Sequence, residues 1–412
     1  MILHETATPF RRDFRKVHLE LRSFFEFKRS TGTQHREFAQ VSVPVYENEF
    51  WTSKQRAGHS LHDVSYRACY KSQLPDFFIH RFAKQGSRIY DPFMGRGTTL
   101  IQARLRDCEV IGNDANPLAS VLTGPRLNPP SCDEVAARLA EVCLNRTAEI
   151  DDELLVFFHS KTLAELLSWR SYFQRRRRAA KFDRTDAWIE MVVCNRLTGH
   201  SSGFFSVYTL PPNQAVSVES QRKINANRNQ VPEYRDTKQL ILKKSRQLLS
   251  DELPAGYPTA ASQLLAKSAE HTPEILDSSI DLIVTSPPFL DTVDYLQDNW
   301  LRMWFCQIEL SRPKLWQFRR LDDWLEKMKA CFVEFRRILA DNGLIAFEVG
   351  EIRKGVLQLE NQVIQAAFEA GLRPECVVIN SQQFTKTANC WGVKNNRDGT
   401  NSNRIVLLRK RG

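Results

Sequence analysis

The fold is decided by residues 88–117, which read RIYDPFMGRGTTLIQARLRDCEVIGNDANP. An apolar strand leads into a turn that contains glycines, an amphipathic helix follows around 100–105, and a second strand covers 109–112. An acidic residue, Asp114, comes just after the second strand. This strand–helix–strand order predicts one unit of a parallel α/β sheet.

The turn between the first strand and the helix contains Gly95 and Gly97. Glycines at this place let the backbone approach a ligand and leave the N-terminal amides of the helix free to bind it. The third glycine of the dinucleotide fingerprint is absent, which argues against a pyrophosphate ligand. Asp114 lies where doubly wound folds place a carboxylate on the two hydroxyls of a ribose. The segment therefore predicts a site for a nucleotide-type ligand that carries a ribose.

A second candidate site is the stretch 285–289, Thr-Ser-Pro-Pro-Phe, which follows an apolar strand. Pro287 and Pro288 fix φ and donate no hydrogen bonds, so the backbone carbonyls before them are left as fixed acceptors. Ser286 adds a hydroxyl and Phe289 an aromatic face, and this combination suits the exocyclic amino group of a flipped nucleobase. The alternative is that the two prolines only form a turn that ends the strand.

Positive charge is concentrated in one part of the chain. Residues 161–250 hold 17 of the 58 basic residues and 7 of the 48 acidic ones, so they carry the whole net charge of +10. Such a regional excess predicts a phosphate-binding surface, because each neutralised phosphate releases counterions. The alternative is a solvated helix face. The residues expected to contact nucleic acid are Arg175, Arg176, Arg177, Arg178 and Lys181.

Composition narrows the class of protein. The 412 residues are 42% hydrophobic and 26% charged, which is typical of a globular protein and excludes a mostly disordered one. No apolar stretch has the length of a membrane span and the first residues lack a secretory pattern, so we expect a cytoplasmic protein without membrane contact. Nine scattered cysteines without a CxxC pair predict neither a disulfide framework nor a zinc ribbon. We expect no metal site, and the isolated pair His59 and His62 is interpreted as part of a polar loop.

Helical and strand-like stretches alternate from residue 87 to the end of the chain, which predicts an open, mostly parallel α/β sheet. Residues 199–229 are rich in Ser, Gly, Pro and Asn and are expected to form a loop with short extended pieces. Asn342 and Gly343 are expected to end the helix that precedes the strand at 344–349.

Together these segments resemble the DNA amino-methyltransferases, which transfer a methyl group from S-adenosylmethionine to N4 of cytosine or N6 of adenine. Residues 91–99, DPFMGRGTT, are similar to the family's cofactor loop, and Thr-Ser-Pro-Pro-Phe is similar to its catalytic motif, (Ser/Asp/Asn)-Pro-Pro-(Tyr/Phe). The stretch 70–75, YKSQLP, resembles the motif that closes over the methionine end of the cofactor. The resemblance implies that S-adenosylmethionine is bound by Lys71, Asp91, Phe93, Gly95, Gly97, Thr98 and Asp114.

The resemblance also implies a fold and an order of domains. We expect a Rossmann-like, seven-stranded methyltransferase sheet with an inserted basic target-recognition domain. The cofactor half precedes the catalytic half, which is similar to the family's alpha arrangement. The expected division is an N-terminal extension at 1–54, a cofactor-binding half at 55–125, a basic DNA-recognition insert at 126–261 and a catalytic half at 262–412.

The activity that the resemblance implies is methylation of the N4 amino group of cytosine in double-stranded DNA, with the target base flipped out. Cytosine is expected because Ser286 stands where adenine-directed relatives carry Asp or Asn. The expected catalytic residues are Ser286, Pro287, Pro288 and Phe289. Three alternatives stay open: N6-adenine methylation of DNA, guanine-N2 methylation of RNA, and nucleic-acid binding without catalysis. We expect a prokaryotic, nucleoid-associated protein. Whether a cognate restriction endonuclease is its partner stays open.

Overall fold

A computed structural model of the chain describes residues 14–25, 30–38, 41–51, 58–67, 69–144, 152–209, 215–257, 261–288, 294–309, 315–318, 320–349, 351–352, 357–381 and 402–411.

Twelve α-helices occur among these residues. In chain order they are α1 (Phe14–Ser23), α2 (Gln73–Phe82), α3 (Thr98–Arg104), α4 (Leu118–Leu127), α5 (Cys132–Glu141), α6 (Ser160–Arg178), α7 (Arg184–Arg196), α8 (Val218–Arg228), α9 (Thr237–Leu248), α10 (Tyr295–Cys306), α11 (Leu321–Ile338) and α12 (Leu359–Glu369). Two short 3₁₀ turns lie at Ser60–His62 and Asp152–Val156.

The described residues also form eleven strands. They are β1 (Gly32–Phe38), β2 (Val41–Asn48), β3 (Arg88–Asp91), β4 (Glu109–Asn113), β5 (Ser262–Leu265), β6 (Ile280–Thr285), β7 (Leu339–Val349), β8 (Glu351–Ile352), β9 (Leu357–Gln358), β10 (Leu372–Ser381) and β11 (Ser402–Lys410). The small strands β8 and β9 pair only with each other.

The main sheet has the strand order β1-β2-β10-β11-β7-β6-β3-β4-β5. Strands β5, β4, β3, β6 and β7 pair in parallel, and β11 is antiparallel to both of its neighbours. The expected Rossmann-like α/β fold is confirmed by this mostly parallel arrangement. The described part of the sheet has nine strands rather than the expected seven, because β1 and β2 extend it beyond β10.

Helices cover both faces of the sheet, because the central strands are buried on both sides. Alternate residues of β6 show this: Leu282 and Val284 pack in one core, and Ile283 packs in the other. The first core contains α2, α3 and α4, and the second contains α11 and α12.

The described residues between β4 and β5 are mostly helical and pack on the first of these cores. Trp169 of α6 and Trp188 of α7 are buried there beside Leu122 of α4. Each indole N–H is also paired, Trp169 with the Thr237 hydroxyl and Trp188 with the Ser245 hydroxyl of α9. These helices are therefore joined to the sheet through one continuous apolar core. The four-part division of the chain stays a prediction.

Two of the local predictions are wrong. Residues 218–228, expected to be loop, form α8, whose N-cap Ser217 accepts a hydrogen bond from the Ser220 amide. Asn342 and Gly343 do not end a helix, because α11 ends at Ile338 and the next residue already pairs with Ile280 of β6.

Candidate active site

A cleft opens at the carboxyl ends of β3, β4 and β6. From β3 the chain continues to β4, the neighbour of β3 on one side, and it later returns to β6, the neighbour of β3 on the other side. The strand order therefore reverses at β3. Ligands of open α/β sheets bind in the crevice that such a reversal creates. The walls of the cleft come from the segments that follow β3, β4, β5 and β6, together with residues of the 66–70 segment, Tyr295, Leu315 and Trp316.

The cleft brings together residues from both predicted motifs. The walls include Phe93, Gly95, Thr98, Asp114, Ser286, Pro287 and Pro288. Among the described residues, three of the expected cofactor ligands lie outside the walls: Lys71, Asp91 and Gly97. Phe289 lies outside the residues that the structure describes.

Asp114 is held at the base of the cleft by backbone amides. Its Oδ2 accepts from the Gly95 N–H at 2.9 Å, and its Oδ1 accepts from the Asn116 N–H at 2.8 Å. Burial raises the pKa of this carboxyl to about 6, and the two amide hydrogen bonds oppose the rise. No cation is paired with Asp114 in the described residues. A ligand that donates hydrogen bonds to its free lone pairs would stabilise the ionised form.

The two glycines of the turn have different structural reasons. Gly95 has φ of 47°, a left-handed conformation that residues with a side chain rarely adopt, whereas a Cβ there would make only an ordinary contact with the Tyr66 ring at 3.4 Å. Gly97 has φ of 74°, and a Cβ there would lie 2.4 Å from the Thr123 side chain of α4. The absence of a side chain at Gly97 thus permits α4 to pack against the turn.

Asp91 ties the segments that flank the cleft to one another. Its Oδ1 accepts from the Thr285 hydroxyl at 2.6 Å and from the Phe93 N–H at 3.1 Å, and its Oδ2 accepts from the Tyr70 hydroxyl at 3.1 Å. Burial raises its pKa to about 6. The carboxyl therefore joins the ends of β3 and β6 to the segment that precedes α2.

Ser286 has a partner that sequence reasoning missed. Its side chain is hydrogen-bonded to the carboxyl group of Glu348, near the end of β7, and burial raises the pKa of that carboxyl. Asn403 of β11 donates to Glu348 Oε1 at 2.8 Å and fixes its orientation. The available signal was an acidic residue in the otherwise apolar run LIAFEV at 344–349.

Two aromatic pairs flank the same cleft. Tyr66 and Tyr295 are stacked with ring centroids 6.5 Å apart and 22° between planes, and Phe93 meets Trp316 edge-on at 5.9 Å. A further polar group is Asn116, whose buried Nδ2 has no hydrogen-bond partner in the described structure and belongs to the cleft wall beside Asp114. Flat apolar faces beside unpaired polar atoms fit a ligand that contains an aromatic base and a ribose.

The arginine run forms the end of α6 and divides into two groups. Arg176 pairs with the buried Asp186 at 2.8 Å, and Arg177 pairs with the buried Glu190 of α7. Burial raises the pKa of Glu190, against the lowering effect of Arg177. Arg176 and Arg177 therefore join α6 to α7, although Arg177 remains partly exposed. Arg175, Arg178 and the nearby Lys181 are exposed and form no ion pair within the described residues. Contact of the run with nucleic acid stays a prediction.

The described residues contain neither a group that could hold a metal ion nor a helix that could span a membrane. No group of three or more His, Cys, Asp or Glu residues in the described ranges could hold a metal ion. His62 is buried against Gln102, and burial lowers its pKa to about 3, so it is neutral at physiological pH. No helix in the described part of the chain is long and apolar enough to cross a membrane.

Sequence comparison finds two Type II methyltransferases. No protein-family model matches the chain. M.BsoBI of Geobacillus stearothermophilus is 21% identical over an alignment of 361 residues, which covers 73% of this chain and 68% of that protein. M.MjaII of Methanocaldococcus jannaschii is 31% identical over 104 residues, which are 25% of this chain and 19% of that protein. The chain is thus similar to Type II methyltransferases, and its match to M.MjaII spans only a small part of that protein.

Comparison of structures finds more distant similarity. A TehB-like SAM-dependent methyltransferase from Corynebacterium glutamicum is 9% identical with a TM-score of 0.30, and the match covers 83% of this chain and 89% of that one. TrmN from Thermus thermophilus is 10% identical with a TM-score of 0.33, and the match covers 84% of this chain and 50% of that one.

Proposed function

We propose that the protein is an S-adenosylmethionine-dependent DNA methyltransferase that modifies the exocyclic N4 amino group of cytosine. The observation that carries the proposal is the position of Asp114 and Ser286 in one cleft, since the first suits a ribose and the second suits an amino group. Similarity to two Type II methyltransferases supports DNA as the substrate.

The residues around Asp114 fit the cofactor. The carboxylate would accept from the ribose hydroxyls, and the adjacent unpaired Asn116 Nδ2 would donate to the same ligand. Phe93 and Trp316 would supply aromatic faces for the adenine ring. When bound, S-adenosylmethionine supplies a methyl group that is already activated by its sulfonium charge. The chain itself needs no covalent nucleophile and acts by positioning its substrates.

The residues around Ser286 address the weakness of the nucleophile. The lone pair of a nucleobase amino group is delocalised into the ring, so the site must hold the amino hydrogens in a geometry that returns electron density to nitrogen. Ser286 donates its own hydrogen to Glu348, which leaves its oxygen lone pairs free to accept an amino hydrogen. The Pro287 carbonyl is the second acceptor. Glu348 is positioned to take up, through the Ser286 hydroxyl, the proton that the amine loses as it gains the methyl group.

The target base reaches this site only outside the helix of the duplex. The Ser286 turn lies within the cleft, so the cytosine must be flipped out of its stack before its amino group meets the acceptors. The stacked pair Tyr66 and Tyr295 provides an aromatic surface near the turn on which a flipped base can rest.

Transfer of a labelled methyl group tests the proposal. The purified protein is incubated with S-adenosylmethionine that carries a labelled methyl group, and with either unmethylated duplex DNA or bulk transfer RNA. We expect label in the DNA alone. The variant Glu348→Gln should transfer the methyl group at least tenfold more slowly, with unchanged affinity for the cofactor. Label in RNA alone would establish the RNA alternative, and binding of DNA without any transfer would establish the non-catalytic one.

A further inference from the structure

The helix α8 (Val218–Arg228) is unusually polar and poorly buried for a helix of this protein. Its only buried residue in the described structure is Gln221, and a single apolar residue, Val218, packs against the first core in place of an apolar stripe. Six of its residues are exposed and polar or charged: Glu219, Ser220, Arg222, Lys223, Asn227 and Arg228. Packing of the core therefore does not explain why these residues form a helix here.

A polar network holds α8 in place from beneath. Gln221 Nε2 donates to the Tyr208 carbonyl at 3.0 Å and to Asn225 Oδ1 at 2.8 Å. Asn225 Nδ2 donates to the Val156 carbonyl at 2.7 Å, and Gln230 just beyond the helix also donates to Tyr208. One face of α8 is thus fixed by directed hydrogen bonds, and the opposite face is left to solvent.

The start of α8 lies beside the candidate active site. The Ala215 N–H donates to the Asp298 carbonyl at 3.0 Å, and the Trp300 indole donates to the Val216 carbonyl at 3.2 Å. Both acceptor and donor belong to the first half of α10, whose first residue, Tyr295, is part of the cleft wall. Ala215 and Val216, which precede the N-cap of α8, therefore contact α10 within two helical turns of Tyr295 in the cleft wall.

The arginine run at the end of α6 lies toward the other end of α10. Arg170 of α6 is stacked over Trp304 of α10, and the Gln307 side chain just after α10 donates to the Arg170 carbonyl. Tyr295 and Cys306 are the ends of α10, and at 1.5 Å per residue they are about 16 Å apart. Of α8 and the arginine run, α8 is the one next to the cleft.

The charge and side-chain types of α8 match one kind of partner. The helix carries three cations against one carboxylate, a net charge of +2. Lys223 is paired with Glu219 at 2.6 Å, which leaves Arg222 as the exposed cation beside them. The neighbouring Asn227 carries an amide of the type that reads the edge of adenine. A helix about 10–12 Å across fits the major groove, and eleven residues cover about 16 Å, or roughly five base pairs. A DNA duplex meets these requirements of charge, shape and position together.

We propose, building on the function proposed above, that α8 enters the major groove of the duplex beside the flipped base and that Arg222, Lys223 and Asn227 contribute to reading its sequence. The polar network under the helix fixes its register on the DNA. The exposed arginines at the end of α6 then contact phosphates farther along the duplex without reading bases.

Two variants and one control test this inference. The variants are Asn227→Ala and the double variant Arg222→Gln with Lys223→Gln. The control, Arg175→Gln with Arg178→Gln, removes the same charge from the end of α6, which lies toward the far end of α10. Each is expressed in a host without DNA methylation, and the genome is sequenced for modified bases to define the methylated motif. Affinity for duplexes with and without that motif is measured at several salt concentrations, and thermal unfolding checks that every variant is folded.

The expected results separate reading from attraction. Asn227→Ala should reduce discrimination against a duplex with one altered base pair by about 10- to 100-fold and so broaden the methylated motif. The double variant of α8 should broaden the motif and weaken binding. The control should weaken binding equally for all sequences and keep the motif.

The outcomes also distinguish this inference from the proposed function. An unchanged motif and unchanged affinity in both α8 variants, with an active wild type, would overturn the role of α8 and leave the proposed function standing. A wild type that selects a duplex sequence without methylating it would overturn the activity, and the same variants, compared by the sequences they select, would then decide the role of α8. A wild type that neither binds nor methylates DNA overturns both.

Discussion

Replacing Asp114 with Asn tests the cofactor site at the position where the structure is most specific. The carboxyl group is buried, it accepts from two backbone amides, and its pKa is raised to about 6 by burial. At neutral pH it is therefore mostly ionised, and its remaining lone pairs are available for the two ribose hydroxyls. The Asn side chain has nearly the same shape but no charge and one acceptor fewer.

The magnitude follows from the loss of charge. A hydrogen bond to a charged group is about 1 to 1.5 kcal/mol stronger than one between neutral groups. Two such bonds to a ribose give about 2 to 3 kcal/mol, so Asp114→Asn should weaken cofactor affinity by roughly 30- to 150-fold. Because donors favour the ionised carboxyl, the wild-type affinity should be fully present above pH 6 and fall as the pH drops through about 6. The variant should lack that part of the pH dependence.

The stability of the free protein should respond with the opposite sign. A carboxyl whose pKa is about 6 in the folded chain and 3.8 otherwise binds more protons when folded, so the contribution of Asp114 to stability is greatest below pH 4 and is lost as the pH rises through 6. The shift corresponds to about 3 kcal/mol at 1.36 kcal/mol per pKa unit. Denaturant unfolding between pH 4 and 7 should show this decline in the wild type and a smaller one in the Asn variant.

Calorimetric titration with S-adenosylmethionine between pH 5 and 8 is the assay. Asp91 also has a raised pKa of about 6, but it is present in both proteins, so the difference between the two pH profiles isolates Asp114. A folded Asp114→Asn protein with the wild-type affinity and pH profile would refute the placement of the ribose at this carboxylate.

Three further substitutions have expected outcomes. Ser286→Ala should lower kcat about 100- to 1,000-fold with unchanged cofactor affinity, measured by single-turnover methyl transfer, and equal activity would contradict its role as an acceptor. Asp186→Ala should lower the free energy of unfolding by about 1.5 to 3 kcal/mol in denaturant, because it removes a buried carboxylate that accepts from Tyr172, Arg138 and Arg176; a loss below 1 kcal/mol would mean that these contacts do not stabilise the fold. Neutral variants of the exposed cations should reduce the slope of log K for DNA against log salt by about 0.9 per lost phosphate contact, and an unchanged slope would make them solvated surface residues. Those cations are Arg175, Arg178 and Lys181.

The central parts of the site could be predicted because their signals are local. Gly95 and Asp114 flank one helix at a spacing that reflects the geometry of a single strand–helix–strand unit. Ser286 directly follows a strand, so the parallel sheet brings it to the same edge. When strands are parallel, motifs at their carboxyl ends meet without any knowledge of the intervening chain.

The missed parts of the site depend on long-range packing. Glu348 meets Ser286 because β7 lies beside β6 in a specific register, and Tyr295 meets Tyr66 across more than 200 residues of sequence. No periodicity within one segment carries such information. Asn403 comes from β11, which reaches β7 only because the last strand inserts antiparallel into the sheet.

The errors in the fold have physical causes as well. The periodicity of apolar residues identifies helices that bury one face, and α8 buries only Gln221, so its polar composition favours a loop over a helix. The ion pairs of Arg176 with Asp186 and of Arg177 with Glu190 were also beyond sequence reasoning, and contact of the run with nucleic acid stays a prediction. A charge count along the chain does not reveal which charges face each other after two helices pack.

The most direct test of the account is mass spectrometry of the nucleosides from unmethylated duplex DNA that has been treated with the purified protein and S-adenosylmethionine. The fixed acceptors at Ser286 and Pro287 predict methylation of an exocyclic amino group, and the serine at this position predicts that the product is N4-methylcytosine. N6-methyladenine as the sole product would contradict the assignment of the base and leave the amino-group mechanism intact. Detection of 5-methylcytosine would contradict the mechanism itself, since C5 carries only a C–H bond and no amino hydrogens for these acceptors to hold.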